Sequence, residues 1–278
     1  MKYLLFFTLV VICTFEATDI ILSAGIGKWS RQQMHSQYTT FKAYKEIGLI
    51  TTASILTYEL SDEGTLESYQ GEDGNAESFQ YAIKKDLGLK ALPCLFCDAT
   101  IGACSNIASR LEKLYANESS FIADSLIRAK KYNWDGYSVD FEPDGFVNST
   151  KLTNFMLNWA KILKNNGLTL SIWIGGPTQY DTAILLNNTN LINLITMSTY
   201  DKKYQDFITL AASLQTSSSN IFGVGFGLLT YSTNLNTISD DDIVAICHWM
   251  KISKVITISI WAASIPPSWN DALLHFLN

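Results

Sequence analysis

The stretch YNWDGYSVDFEPDG, Tyr132 to Gly145, places Asp135, Asp140, Glu142 and Asp144 close together in a chain of which only 17% is charged. Trp134, Tyr137, Val139 and Phe141 lie among these acids, and such residues favour strands over solvated loops. Side chains alternate along a strand, so Ser138, Asp140 and Glu142 share one face while Tyr137, Val139 and Phe141 take the other. The apolar face suits packing against helices, and the polar face suits an enclosed site. Two carboxylates two residues apart on a strand stand about 6 to 7 Å from each other. Each then raises the cost of ionising the other, so one tends to hold a proton near neutral pH. A proton donor beside an ionised carboxylate is what acetal cleavage uses.

Outward from this stretch, short β-branched or apolar runs recur along the chain. They are 19–26, 49–58, 89–96, 136–142, 168–175, 191–200, 221–228 and 255–262. Amphipathic segments lie between them. The segment 75–88 opens on Asn75 and closes on Gly88, and 117–132 carries its bases late. The segment 148–167 runs from a polar start to Gly167, and 239–253 opens on three acids that favour a helix N-terminus. Eight strand–helix alternations predict a single (β/α)8 TIM barrel over residues 18–278. A doubly wound sheet is the competitor, but no GxGxxG follows a strand. GIGKWS at 25–30 lacks the other glycines of a phosphate loop and reads as a tight turn.

The chain of 278 residues is 47% hydrophobic with a net charge of -6, enough apolar material for a large core. The acidic balance and the lack of a Lys/Arg run exclude a nucleic-acid partner. Met1-Lys2 followed by YLLFFTLVVIC predicts a signal peptide over 1–17, with an uncleaved anchor as the alternative. No later segment has the length of a membrane span. Asn117, Asn148 and Asn187 open glycosylation sequons. These features predict a secreted or lumenal glycoprotein, lysosomal location included, acting as a monomer. Apart from Cys13, the cysteines are Cys94, Cys97, Cys104 and Cys247, an even set compatible with two disulfides. The expected pairs are Cys97–Cys104 and Cys94–Cys247. No second CxxC accompanies Cys94 and Cys97, so neither a metal nor a cofactor is expected.

DGYSVDFE resembles the DGxDxDxE signature on the fourth strand of glycoside hydrolase family 18, the chitinases, chitobiases and endo-β-N-acetylglucosaminidases. Asp135, Gly136, Asp140 and Glu142 match, while Ser138 stands where chitinases carry an Asp. MSTYD, 197–201, resembles the family's MxYD with one additional residue before Tyr200, and SIWA, 259–262, puts Trp261 at the family's eighth-strand Trp. The family's SxGG is absent from the third strand, which reads LPCLFCDA. The resemblance implies retaining, substrate-assisted hydrolysis of β-linked N-acetylglucosamine, in chitin oligosaccharides or in a glycoprotein's chitobiose core. It implies Glu142 as proton donor, Asp140 as orienter of the substrate's 2-acetamido group and Tyr200 as hydrogen-bond donor to that group. Trp261, Ser138, Asp201 and Trp173 complete the candidate set as substrate-binding residues. Asp135 is expected to cap the strand entry. The alternative is a carbohydrate-binding lectin on the same barrel.

Overall fold

The computed structural model describes residues 18–25, 30–70, 74–98, 106–142, 146–175, 180–217, 224–230, 238–261 and 264–278. The expected signal peptide 1–17 and Cys104 lie outside the described residues, as do residues 26, 221–223 and 262 at the ends of three expected strands.

Alternating burial along each strand sorts the chain into an inner and an outer layer. In chain order the elements are β1 (Asp19–Ala24), α1 (Arg31–Glu46), β2 (Thr52–Leu60), β3 (Leu66–Ser68), α2 (Ala76–Leu87), β4 (Lys90–Ala91) and β5 (Cys94–Asp98). Next come α3 (Ile107–Ala116), α4 (Glu118–Tyr132), β6 (Gly136–Glu142), α5 (Ser149–Asn165), β7 (Thr169–Ile174), α6 (Thr182–Leu186) and β8 (Asn193–Thr196). The chain ends with α7 (Tyr204–Ser217), β9 (Val224–Leu229), α8 (Asp240–Ile252), β10 (Thr257–Trp261) and α9 (Asn270–Leu277). Strands β1, β2, β5, β6, β7, β8, β9 and β10 pair in parallel, each with its successor. Strand β1 pairs with both β10 and β2, which closes the sheet into a (β/α)8 barrel. Strand β3 turns back antiparallel on β2, and β4 is a short parallel segment ahead of β5.

The outward side chains build the core. Ile20, Leu22, Tyr137, Val139, Phe141, Ile258 and Ile260 of the sheet join Phe41, Ile83, Trp159, Phe207 and Ile246 of the helices in one cluster. Burying each such side chain stabilises the fold by roughly 1.5–3 kcal/mol. Inside the barrel a smaller apolar cluster among the described residues joins Ile21, Leu92, Trp173 and Ile195, with Met197 and Tyr200 packed against it. Small polar groups fill much of the remaining interior. Ser23 and Ser259 hydroxyls lie 3.3 Å apart there, and Ser138 and Ser171 are also buried.

Helix boundaries follow the local chemistry. Asn75, Asn148 and Ser239 each accept a first-turn amide of α2, α5 and α8, and Gly88 closes α2 in the left-handed conformation. These boundaries match the expected helices to within a residue or two. The expected third strand is instead two pieces, because Leu92–Pro93 interrupts the pairing. At this break Gln80 of α2, fully buried, accepts the Ile55 amide at 3.0 Å and donates to the Ala53 carbonyl at 3.3 Å. The expected sixth strand, 191–200, is also shorter. It ends at Thr196, and Met197–Thr199 form a 3-10 turn.

The Cys94–Cys247 disulfide is corrected: both are free, buried thiols. Cys94 sits on β5 beside Ser138 and Asp140 inside the barrel, whereas Cys247 belongs to α8 in the outer cluster, so the sheet separates them. Cys97 is disulfide-bonded, and Cys104, expected as its partner, is outside the described residues. No helix among the described residues is long and apolar enough to cross a membrane.

Candidate active site

Strand β6 carries the two central carboxylates, and its environment explains the sequence around them. At the strand entry Asp135 accepts the Ala91 amide at 2.7 Å and Lys84 Nζ at 2.5 Å, tying β4 and α2 to β6. Asp135 therefore acts at the opposite end of the strand from Glu142. Gly136 follows with φ of 155°, where a Cβ would stand 2.0 Å from the Thr169 carbonyl oxygen. Only glycine lets β6 and β7 approach so closely there.

The outward face of β6 is locked to the helices. Tyr137 Oη donates to the Ser125 carbonyl at 2.6 Å, and Trp159 Nε1 donates to Ser125 Oγ at 3.0 Å. Tyr137 lies between Tyr58 and Trp159, with ring centroids 6.1 and 5.3 Å away. A strand held this firmly fixes the heights of its inward groups.

Those groups form a graded column. Ser138, 1% exposed, lies deepest, and its Oγ accepts Trp173 Nε1–H at 3.1 Å. Asp140 and Glu142 follow toward the C-terminal end and are both half-buried. They line a cavity of about 220 Å3 together with Leu56, Phe96, Tyr200 and Trp261. In barrel order, Leu56 of β2 and Phe96 of β5 form an apolar wall on one side of the carboxylates. Tyr200, just past β8, and Trp261 of β10 form an aromatic wall on the other. Tyr69 meets Phe96 edge-on at 5.6 Å. The cavity lies at the C-terminal ends of the strands, where a (β/α)8 barrel gathers functional groups.

Four of the expected site residues, Glu142, Asp140, Tyr200 and Trp261, are thus brought together. Trp173 and Ser138 take a different place from the one expected. Both are 1% exposed and bonded to each other below the cavity, where Trp173 contacts Tyr200 at 5.9 Å and Trp261 at 6.5 Å. They support the floor and offer no surface to a ligand. Asp201, one residue past Tyr200, has its carboxylate 3.8 Å from Lys202 Nζ and is not among the cavity-lining residues. Leu56 and Phe96 are the residues the sequence reading missed. Their positions near the C-terminal ends of the second and third strands, on the inward alternation, were the available signal.

The surroundings of Asp140 are low in competing chemistry. Burial pushes the Cys94 thiol well above its usual range, the Asp140 charge adds to this, and Ser138 and the Asp140 amide oppose it. Cys94 therefore stays a neutral thiol and behaves as a small apolar group. Burial likewise raises the Tyr180 phenol, with Asp140 as a further contributor. Among the described residues no group of three or more His, Cys, Asp or Glu could hold a metal ion. What the site can do is donate a proton from one carboxyl, hold a negative charge on the other, and present a phenol and an indole to a ring-shaped ligand.

No protein-family model and no curated protein matches the chain. Solved structures do share its fold. A chitinase from Chromobacterium violaceum superposes with a TM-score of 0.73 at 11% identity, covering 94% of this chain and 99% of the other. A class V chitinase from Pseudomonas fluorescens gives 0.73 at 14% identity, covering 94% and 100%. The Group IV chitinase of Ostrinia furnacalis, solved with allosamidin, gives 0.64 at 13% identity, covering 94% and 98%. The chain therefore has the barrel fold of the chitinases.

Proposed function

We propose that this protein is a retaining glycoside hydrolase that cleaves β-linked N-acetylglucosamine by substrate assistance. The observation that carries the reading is the shared cavity of Asp140, Glu142, Tyr200 and Trp261 at the C-terminal end of the barrel. The chitinase barrels that share the fold support a glycan as substrate.

In this mechanism Glu142 gives its proton to the glycosidic oxygen as the bond from that oxygen to the anomeric carbon breaks. The carbonyl oxygen of the substrate's 2-acetamido group forms the new bond to the anomeric carbon, giving an oxazolinium ion. The Asp140 carboxylate orients the acetamido N–H and stabilises the positive charge that develops. Tyr200 donates a hydrogen bond to the acetamido oxygen, and Trp261 stacks on the apolar face of the pyranose. Water then adds to the anomeric carbon, its proton passes to the Glu142 carboxylate, and the ring opens with retention. Such substrate assistance replaces the second enzyme carboxylate of the usual two-carboxylate scheme.

The substrates proposed are chitin oligosaccharides or the chitobiose core of an N-glycan. The protein is also proposed to enter the secretory pathway through its first 17 residues and to carry N-glycans. Asn117, Asn148 and Asn187 are all exposed, which supports attachment at the three sequons.

The test is a screen of purified protein against chito-oligosaccharides and N-glycans, with Glu142→Gln and Asp140→Asn alongside. Wild type should hydrolyse one of these classes, and a thiazoline mimic of the oxazolinium should inhibit it. Glu142→Gln should lose about 10²–10⁴-fold in rate while still binding. Efficient cleavage of a matching 2-hydroxy glucoside would overturn substrate assistance. Binding without any hydrolysis would favour a lectin.

A further inference from the structure

We infer that Gly227 and Thr199 are positioning residues that seat the ring of Tyr200 in the cavity. This rests on the proposed glycosidase reading for its functional consequence, and on geometry alone for the seat itself.

The segment Met197–Asp201 has one residue more before its tyrosine than the pattern it resembles. An additional residue in a continuing strand would turn Tyr200 to the other face of the sheet. The chain instead leaves the strand at Thr196 and takes up the next three residues in the 3-10 turn. The turn is tied down at several points. Ser198 N–H donates to Thr196 Oγ1 at 3.2 Å, and Tyr200 N–H donates to the Met197 carbonyl at 3.1 Å. Fully buried Thr199 donates from Oγ1 to the Gly227 carbonyl at 2.9 Å, and Leu229 N–H donates to the Tyr200 carbonyl at 3.1 Å. The turn is therefore stitched to β9 by two hydrogen bonds, one given by Thr199 before the tyrosine and one taken by the tyrosine's own carbonyl.

The ring then lies where a side chain on β9 would stand. A Cβ on Gly227 would be 2.6 Å from Tyr200 Cε1, 2.9 Å from Cδ1 and 2.7 Å from the Thr196 carbonyl oxygen. Gly227 is a strand residue outside the left-handed region, so the position requires room and not an unusual backbone. Trp173, 5.9 Å away, limits where a displaced ring could go. Thr199 fixes the turn, Gly227 clears the space, and together they set where the Tyr200 hydroxyl meets the cavity.

The test combines the variants Gly227→Ala and Thr199→Val with ring-labelled tyrosine NMR and a double-mutant cycle. The Tyr200 ring signals, assigned by their loss in Tyr200→Phe, carry ring-current shifts from Trp173. Both variants should move these signals. Gly227→Ala should lower kcat/KM by about 10²-fold, the usual scale for a misplaced preorganised donor. In a Tyr200→Ala background the same substitution should cost clearly less, because the ring contacts are gone and only the Thr196 carbonyl oxygen stands in the way. Unmoved ring signals, or a Gly227→Ala effect that persists undiminished without the tyrosine, would overturn the inference. If Gly227→Ala does not fold, Thr199→Val, which retains the side-chain shape, decides in its place. A wild type that cuts no N-acetylglucosamine glycan sinks the glycosidase reading instead, and the ring signals still decide the seat.

Discussion

Trp173→Phe is the substitution with the most to say about how the cavity floor is held. The indole is 1% exposed, donates to Ser138 Oγ at 3.1 Å and contacts the Tyr200 and Trp261 rings at 5.9 and 6.5 Å. Phenylalanine removes the hydrogen bond, worth about 1 kcal/mol net, and leaves the Ser138 hydroxyl without this donor. It weakens two aromatic contacts of about 0.5–1.5 kcal/mol each. It also opens a void smaller than that of Trp→Ala, which costs about 3–5 kcal/mol in full. The sum is a loss of about 2–4 kcal/mol, which a domain of about 5–15 kcal/mol stability survives. Urea unfolding followed by far-UV circular dichroism measures it, with Ser138→Ala as the companion that removes the acceptor and leaves the indole N–H unsatisfied, at about 1–3 kcal/mol. Because Tyr200 and Trp261 both rest on the indole, KM for an oligosaccharide should rise as well. A loss under about 1 kcal/mol would refute the idea that the indole plugs the barrel below the site.

Two further outcomes are expected. Burial pushes the Cys247 thiol up to about 12 from 9.0, so above pH 9 the unfolded chain ionises there while the folded one does not. Stability from this group is complete below pH 9 and falls by about 1.4 kcal/mol per pH unit above it. Cys247→Ala should flatten the alkaline decline between pH 9 and 11, and an unchanged slope in thermal unfolding would count against it. Trp261→Ala should weaken oligosaccharide binding and rate with the circular dichroism spectrum intact, since the residue is at the rim. Full activity, or collapse of the fold, would remove Trp261 from the proposed sugar subsite.

The barrel was legible because both of its periods are written in the residues. Tyr137, Val139 and Phe141 against Ser138, Asp140 and Glu142 show one face for helices and one for the interior. Asn75, Asn148, Ser239 and Gly88 mark helix ends with their own capping chemistry. Helix α1 was less legible: among its sixteen residues only Phe41 is fully buried, so its apolar stripe is faint. The third strand was read as one piece because its composition stays apolar through Leu92–Pro93, where Pro93 has no N–H to give and Gln80 takes up the Ile55 amide. Tyr200 could be named but not placed, since the turn that delivers it depends on Gly227, nearly thirty residues away in sequence. The Cys94–Cys247 pairing failed because parity counts cysteines without knowing which side of a sheet each one faces. Trp173 was misjudged for a related reason: inward alternation says which side a residue faces, and not how deep it lies.

The closure of the sheet has a consequence for how this molecule comes into being. Strand β1 pairs with β10, and the Ser23–Ser259 contact spans 236 positions of sequence. A ribosome has therefore delivered every strand from β1 to β10 before β1 meets that neighbour. Until then β1 and β9 each present an unsatisfied edge, and a nascent chain in that condition invites pairing with other chains. Trp261 arrives on the closing strand itself, so the aromatic wall of the cavity appears only at the final act of assembly. A chain cut short before β10 would keep both carboxylates in its covalent sequence and still have no site.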